Sequence, residues 1–139
     1  MIGNWKGYYK HESKRIPTER KKQKTVFHIE ITEFENNIFQ GKITEDVNTN
    51  GMNGTGKING TIKRNKITFI KEMPIETQLM NGEVLETNKK HPKIYYKGSY
   101  NKLSEKYKGS WRFKFGFTKV NGKFAIIMPI KGIWEMEKR

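Results

Sequence analysis

Glu45 and Lys71 are the residues of this 139-residue chain best placed to do chemistry, because each is a charge spaced in phase with large apolar side chains. Phe39, Ile43 and Glu45 fall on every second position of Ile38 to Asp46, and Phe69 and Lys71 do the same in Lys66 to Met73. Successive side chains of a strand point to opposite faces, so this spacing turns a carboxylate and an ammonium toward the same interior as the rings. A buried charge is costly unless it is paired and hydrogen-bonded. The two are therefore expected to pair with each other, to meet the polar head of a bound molecule, or to sit at frayed strand ends in water. The hydroxyls of Tyr9 and Tyr96 are the other polar groups on the inward phase.

The remaining chemistry-bearing residues assemble into nothing catalytic. His11, His28 and His91 have no metal-ligand spacing, and Ser13, Ser99, Ser104 and Ser110 sit in no nucleophile elbow. The adjacent carboxylates Glu45 and Asp46 point to opposite faces of a strand and cannot flank one substrate. His28 and Glu30 share a face and fit a surface pair. Gly51 to Gly56 is glycine-rich but lies between strands with no helix after it, so it is no phosphate loop. The sequence contains no cysteine, which removes disulfides, thiolate metal sites and thiol nucleophiles. No enzyme activity, no metal and no cofactor is expected.

The elements that carry these residues are strands. Period-two alternation bounded by turn residues runs through Gly3 to Lys10, Lys24 to Phe34, Ile38 to Asp46, Gly54 to Ile62, Lys66 to Met73, Ile94 to Tyr100, Ser110 to Phe117 and Gly132 to Lys138. Asn81-Gly82 and Asn121-Gly122 mark further hairpins. About eight to ten short strands with tight turns imply an all-β fold, a single antiparallel up-and-down barrel. Residues 1–139 form one domain on grounds of length. The inward phase collects Trp5, Tyr9, Phe27, Ile29, Ile31, Phe39, Ile43, Glu45, Ile58, Ile62, Phe69 and Lys71. Ile94, Tyr96, Tyr100, Trp111, Phe113, Phe115, Trp134 and Met136 continue it. An eight-stranded barrel of this lining either fills with its own side chains or holds one small ligand.

Charge adds a second theme. Lys+Arg number 28 against 14 Asp+Glu, a formal net charge of +14. The excess is either solvated lysine or the footprint of an anionic partner. Trp111-Arg112-Phe113-Lys114-Phe115 would offer stacking rings beside cations to a nucleic acid if its rings faced solvent; a buried aromatic face with a basic outer face explains the same letters. Between the first two strands, Lys14, Arg15, Arg20, Lys21 and Lys22 form a basic loop suited to drawing an anionic amphiphile toward a barrel mouth. No apolar run approaches the roughly 20 residues of a membrane-spanning helix. With Met1 and Ile2 alone ahead of the first strand, a cytoplasmic location is expected.

Gly3-Asn4-Trp5 at the start, the strand meander, and the closing run Gly132 to Arg139 resemble the calycin superfamily, which includes lipocalins, fatty-acid-binding proteins and the avidin group. The resemblance implies that a basic residue late in the last strand packs across Trp5 and closes one barrel end, a role that falls to Arg139 or, failing it, Lys138. There is no room for a helical turn before the first strand, no C-terminal helix and no helical pair between the first two strands. The layout is thus similar to avidin-like or truncated lipocalin-like barrels, and suggests a bacterial relative of that group. The expected function is non-enzymatic binding of a small, largely apolar or amphiphilic molecule, with or without an acidic head, in the barrel lumen. Its lumen site is expected to use Tyr9, Phe27, Phe39, Glu45, Phe69, Lys71, Tyr96, Trp111 and Phe113. The alternatives are nucleic-acid or acidic-partner binding through the basic surface, and a solid barrel acting as a structural or interaction module.

Overall fold

The computed structural model describes residues 1–12, 23–49, 51–73, 78–80, 83–85, 93–113, 117–120, 123–126 and 130–139. The strands in chain order are β1 (Gly3–His11), β2 (Thr25–Glu35), β3 (Ile38–Glu45), β4 (Thr55–Lys63), β5 (Lys66–Glu72), β6 (Gln78–Met80), β7 (Glu83–Leu85), β8 (Lys93–Asn101), β9 (Lys106–Phe113), β10 (Phe117–Val120), β11 (Lys123–Ile126) and β12 (Ile130–Lys138). Eight of them close into an antiparallel barrel in the order β1-β12-β9-β8-β5-β4-β3-β2, which is an up-and-down meander. β6 with β7 and β10 with β11 form separate two-stranded hairpins inserted between barrel strands. Among the described residues one 3-10 turn, Val47–Thr49, lies between strands. Among the described residues no helix is long and apolar enough to cross a membrane.

Alternation produces the barrel directly. In β3 every second residue, Phe39, Gly41, Ile43 and Glu45, is buried while its neighbours are exposed. The β2–β3 turn works because Asn36 and Asn37 both take positive φ, 53° and 66°, the geometry of a two-residue turn that matches strand twist. Antiparallel order sorts the connections by end. The short turns 36–37, 64–65 and 102–105 lie at one end with Met1 and Arg139, and the longer connections leave from the other.

One strand differs from the reading by sequence. β9 spans Lys106 to Phe113 rather than Ser110 to Phe117, and Phe117 opens β10. The alternation of Trp111, Phe113, Phe115 and Phe117 runs unbroken past the strand end, so it carries no mark of the break. Phe115, His91, the residues Lys14, Arg15, Arg20, Lys21 and Lys22 of the basic loop, and the turns Asn81-Gly82 and Asn121-Gly122 lie outside the described residues.

Candidate functional site

The inward rings pack against one another along the barrel. Phe69 and Tyr96 stack with centroids 4.6 Å apart, and Trp134 meets both edge-on at 5.4 and 5.7 Å. Phe39 adds an edge contact to Phe69 at 6.1 Å. Toward the end with the long connections, Tyr9 lies 6.5 Å from Phe27 and 5.7 Å from Trp111. Exposure falls to 0% at Phe27, 1% at Phe39, 2% at Trp134 and 5% at Trp111. A chamber roomy enough for water would leave accessible surface on the side chains lining it; these residues have almost none, and the space between them is filled. Phe113, last in β9, is half-buried on the same phase.

Ile67, Met73 and Tyr107 also belong to this core and were not expected there. Tyr107 was hidden by the late start given to β9; its spacing of four from Trp111 was the available signal. Ile67 and Met73 continue the phase of Phe69 and Lys71.

Glu45 and Lys71 meet inside the barrel. Lys71 Nζ lies 3.2 Å from Glu45 Oε2, with the two side chains 1% and 0% exposed. Tyr9 Oη donates to Glu45 Oε1 at 2.7 Å, and the Met52 N–H donates to the same oxygen at 3.4 Å. The ammonium also stands 4.7 Å from the Tyr9 ring and 5.3 Å from the Tyr96 ring, within cation–π range. Burial is the main cause that pushes the Tyr9 phenol far above its usual value, with Lys71 opposing and Glu45 reinforcing. Tyr96 is raised by burial and then by Glu45. Each of the two charges has its counter-charge within the protein.

At the opposite end Trp5 is flanked by Met1, Tyr107 and the last strand. Its indole N–H donates to the Met1 carbonyl at 3.0 Å, and Tyr107 packs on it at 5.5 Å, backed by Tyr100. The β1–β12 register sets Lys138 opposite Trp5. Lys138 therefore shares the phase of Trp134 and Met136, while Arg139 falls on the outer phase, exposed, with its N–H bound to the Asn4 carbonyl at 2.9 Å.

With the interior filled, the accessible chemistry is on the outer wall. Two rows run across it perpendicular to the strands. One joins Asn59, Ile70, Tyr95, Arg112 and Lys131 as successive cross-strand partners on β4, β5, β8, β9 and β12. The next joins Thr61, Thr68, Lys97, Ser110, Ile133 and Lys10. The rows hold four cations and no carboxylate. The Arg112 guanidinium stands 6.0 Å from the Tyr95 ring centroid, and a groove of about 870 Å³ lies over this face, with Glu12 at its margin. Acids flank the two rows on either side: beyond the second row Glu135 lies 3.6 Å from Lys106 and 3.8 Å from Lys108, and beyond the first Glu72 lies 3.9 Å from Lys93. Arg112 thus faces out between the inward rings of Trp111 and Phe113, and the ring beside it comes from the neighbouring strand.

Among the described residues no group of three or more His, Cys, Asp or Glu could hold a metal ion. No family model matches the chain, and no curated protein matches it. Among solved structures it is similar to a mutant of the vaccine antigen transferrin-binding protein B from Haemophilus parasuis Hp5, with 17% identity and a TM-score of 0.40. The match covers 99% of this chain and 27% of that one, so the chain spans about a quarter of that protein's length.

Proposed function

We propose that this chain is a non-enzymatic recognition module: a solid calycin-like barrel that binds an acidic protein partner on its outer wall. The observation that carries the reading is the pair of cross-strand rows that gathers Lys10, Lys97, Arg112 and Lys131 on one face of the barrel around Ile70, Tyr95 and Ile133. Ile70, Ile133 and Tyr95 lie among these cations, so the face suits a segment that alternates acidic with apolar side chains. Carriage of an apolar molecule in the lumen loses support because Trp5, Phe39, Trp111 and Trp134 occupy the space it needs.

The test is fluorescence anisotropy with two labelled probes, a synthetic peptide alternating Glu with Leu and Phe, and an oligo-dT. The peptide is expected to bind, more weakly as salt rises, and Lys97→Glu with Arg112→Glu is expected to weaken it at least tenfold while Lys63→Glu leaves it unchanged. Preference for oligo-dT, with a log–log salt slope of about −3 for four cations on a single strand, would replace the acidic protein with nucleic acid. Saturable binding of a fluorescent fatty acid, lost on changing Tyr96 or Trp111, would restore the lumen carrier and overturn the proposal.

A further inference from the structure

The opposite wall of the barrel carries a second concentration of donors. On β1, β2, β3 and β4 the outward residues Lys6, His28, Thr44 and Thr55 are successive cross-strand partners, and Asn4, Glu30 and Lys42 form the adjoining row. A pocket of about 580 Å³ lies over them, lined by Asn4, His28, Glu30, Lys42, Thr44, Thr55 and Arg139, with Trp5 and Ile29 at its floor. Arg139 arrives there because its N–H extends the β1–β12 ladder to the Asn4 carbonyl and its outer phase turns the side chain to this wall. The guanidinium is near enough to act electrostatically on His28, as is Lys6.

Burial, and after it Arg139 and Lys6, hold the His28 imidazole below its usual value against the opposing pull of Asp46. Glu30 stands directly opposite Lys42 in the register and Glu137 opposite Lys6, while Arg139 is set beside Asn4. An anion seated in the pocket would meet the Arg139 guanidinium, the His28 imidazole and the Thr44 and Thr55 hydroxyls together.

We propose that this pocket binds a small phosphate-type oxyanion, with Arg139 and His28 as the central donors and Thr44, Thr55 and Asn4 completing the set. The choice of anion follows from donor geometry. A guanidinium fork, an imidazole N–H, hydroxyls and an ammonium converge from different strands, which matches the several lone pairs of a tetrahedral dianion better than the two oxygens of a planar carboxylate. A phosphate monoester of a small soluble molecule is the class of ligand this serves. The site is on the wall away from Lys97 and Arg112 and does not depend on the acidic-partner reading.

Amide NMR titration of the full chain with inorganic phosphate tests it. Saturable shifts at His28, Thr44, Thr55 and Arg139 are expected, with affinity falling about tenfold in Arg139→Gln and in His28→Gln and unchanged in Lys97→Glu. Small shifts spread over lysines around the barrel, without saturation, would overturn the site. So would equal affinity in Arg139→Gln, provided far-ultraviolet circular dichroism shows the variant folded; a misfolded variant is replaced by Arg139→Lys, which keeps the charge, loses the fork and is expected to bind more weakly than the parent. Capture by phosphatidylcholine vesicles containing phosphatidate that free phosphate fails to compete away would overturn the small-molecule source. Retention of peptide binding in Arg139→Gln separates this site from the other wall.

Discussion

Breaking the buried ion pair distinguishes a filled barrel from a wet one. In Lys71→Met the Glu45 carboxylate keeps the Tyr9 hydroxyl at 2.7 Å and the Met52 N–H at 3.4 Å but loses its counter-charge. In Glu45→Gln the amide still accepts from Tyr9, and the ammonium is left against the rings of Tyr9 and Tyr96. Removing one partner of a buried pair costs about 3–5 kcal/mol, whereas replacing both by neutral groups of similar volume is often close to neutral. Glu45→Gln is expected at the lower end of that range, because cation–π contacts contribute about 2 kcal/mol when desolvated. The double variant is expected to be more stable than the sum of the two singles predicts, by at least about 2 kcal/mol.

Urea denaturation followed by tryptophan fluorescence measures this. With a urea m-value of about 2 kcal/mol/M, each single change lowers the midpoint by about 2 M, a large share of total stability. Amide exchange at Met52 is a second readout. That N–H reports whether the segment after β3 stays pinned, since Asp46 N–H also bonds the Val26 carbonyl at 2.8 Å and the Thr49 hydroxyl accepts from the Val26 N–H at 3.0 Å. Single costs below about 1 kcal/mol, additive within about 0.5 kcal/mol, would mean that water reaches both charges. The interior would then be open at this end, and the argument for a solid barrel would be refuted.

Three other outcomes follow from the same packing. Tyr9 and Tyr96 stay protonated in the folded state above the usual phenol range, so the stability they protect is present below about pH 10 and is lost as pH climbs toward their raised values; ultraviolet phenolate titration should show them ionising with alkaline unfolding, and free titration near pH 10 would contradict their burial. Gly109→Ala forces a Cβ onto the Lys97 carbonyl and to 2.5 Å from the Gly98 Cα, and is expected to cost about 1–3 kcal/mol and to alter the near-ultraviolet circular dichroism of Trp134; a neutral change would show that β8 and β9 are less tightly joined than their register implies. Trp134→Ala is expected to cost about 3–5 kcal/mol and to create an apolar cavity that benzene stabilises in thermal melts while leaving the parent protein unaffected. Equal stabilisation of the parent would show that the room already existed.

Much of the fold was legible because period-two alternation survives in strands with one buried face. β1 to β5, β8 and β12 were readable to within two residues or so, whereas β9 was displaced by four because rings continue in phase beyond its end. Glu45 and Lys71 could each be assigned an inward phase from local spacing, but their meeting depends on register across three strands. The register pairs Ile43 with Gly56 and Ile58 with Lys71, which places Gly56 between the levels of the two charges, where the intervening strand carries no side chain to separate them. No local pattern encodes that. The outer rows were illegible for the same reason: Tyr95 and Arg112 are 17 positions apart in sequence and become neighbours only when β8 pairs with β9.

The glycines show why such an interior is filled. A Cβ at Gly98 would lie 2.8 Å from the Trp134 indole, at Gly132 2.5 Å from Trp111, at Gly60 2.6 Å from Phe39, and at Gly7 2.6 Å from Phe27. Each large ring therefore lies over a position with no side chain, and two indoles use the bared backbone directly. Trp134 Nε1 is 3.1 Å from both the Lys97 and Ser110 carbonyls, and Trp111 Nε1 is 3.1 Å from the Lys10 carbonyl. Glycine in a strand costs stability unless something occupies the space it frees. A barrel arranged to hold a guest would gain nothing from spending that cost beneath its own rings. The pairing of glycines with large rings across the lumen is what lets eight strands close around so many aromatic side chains.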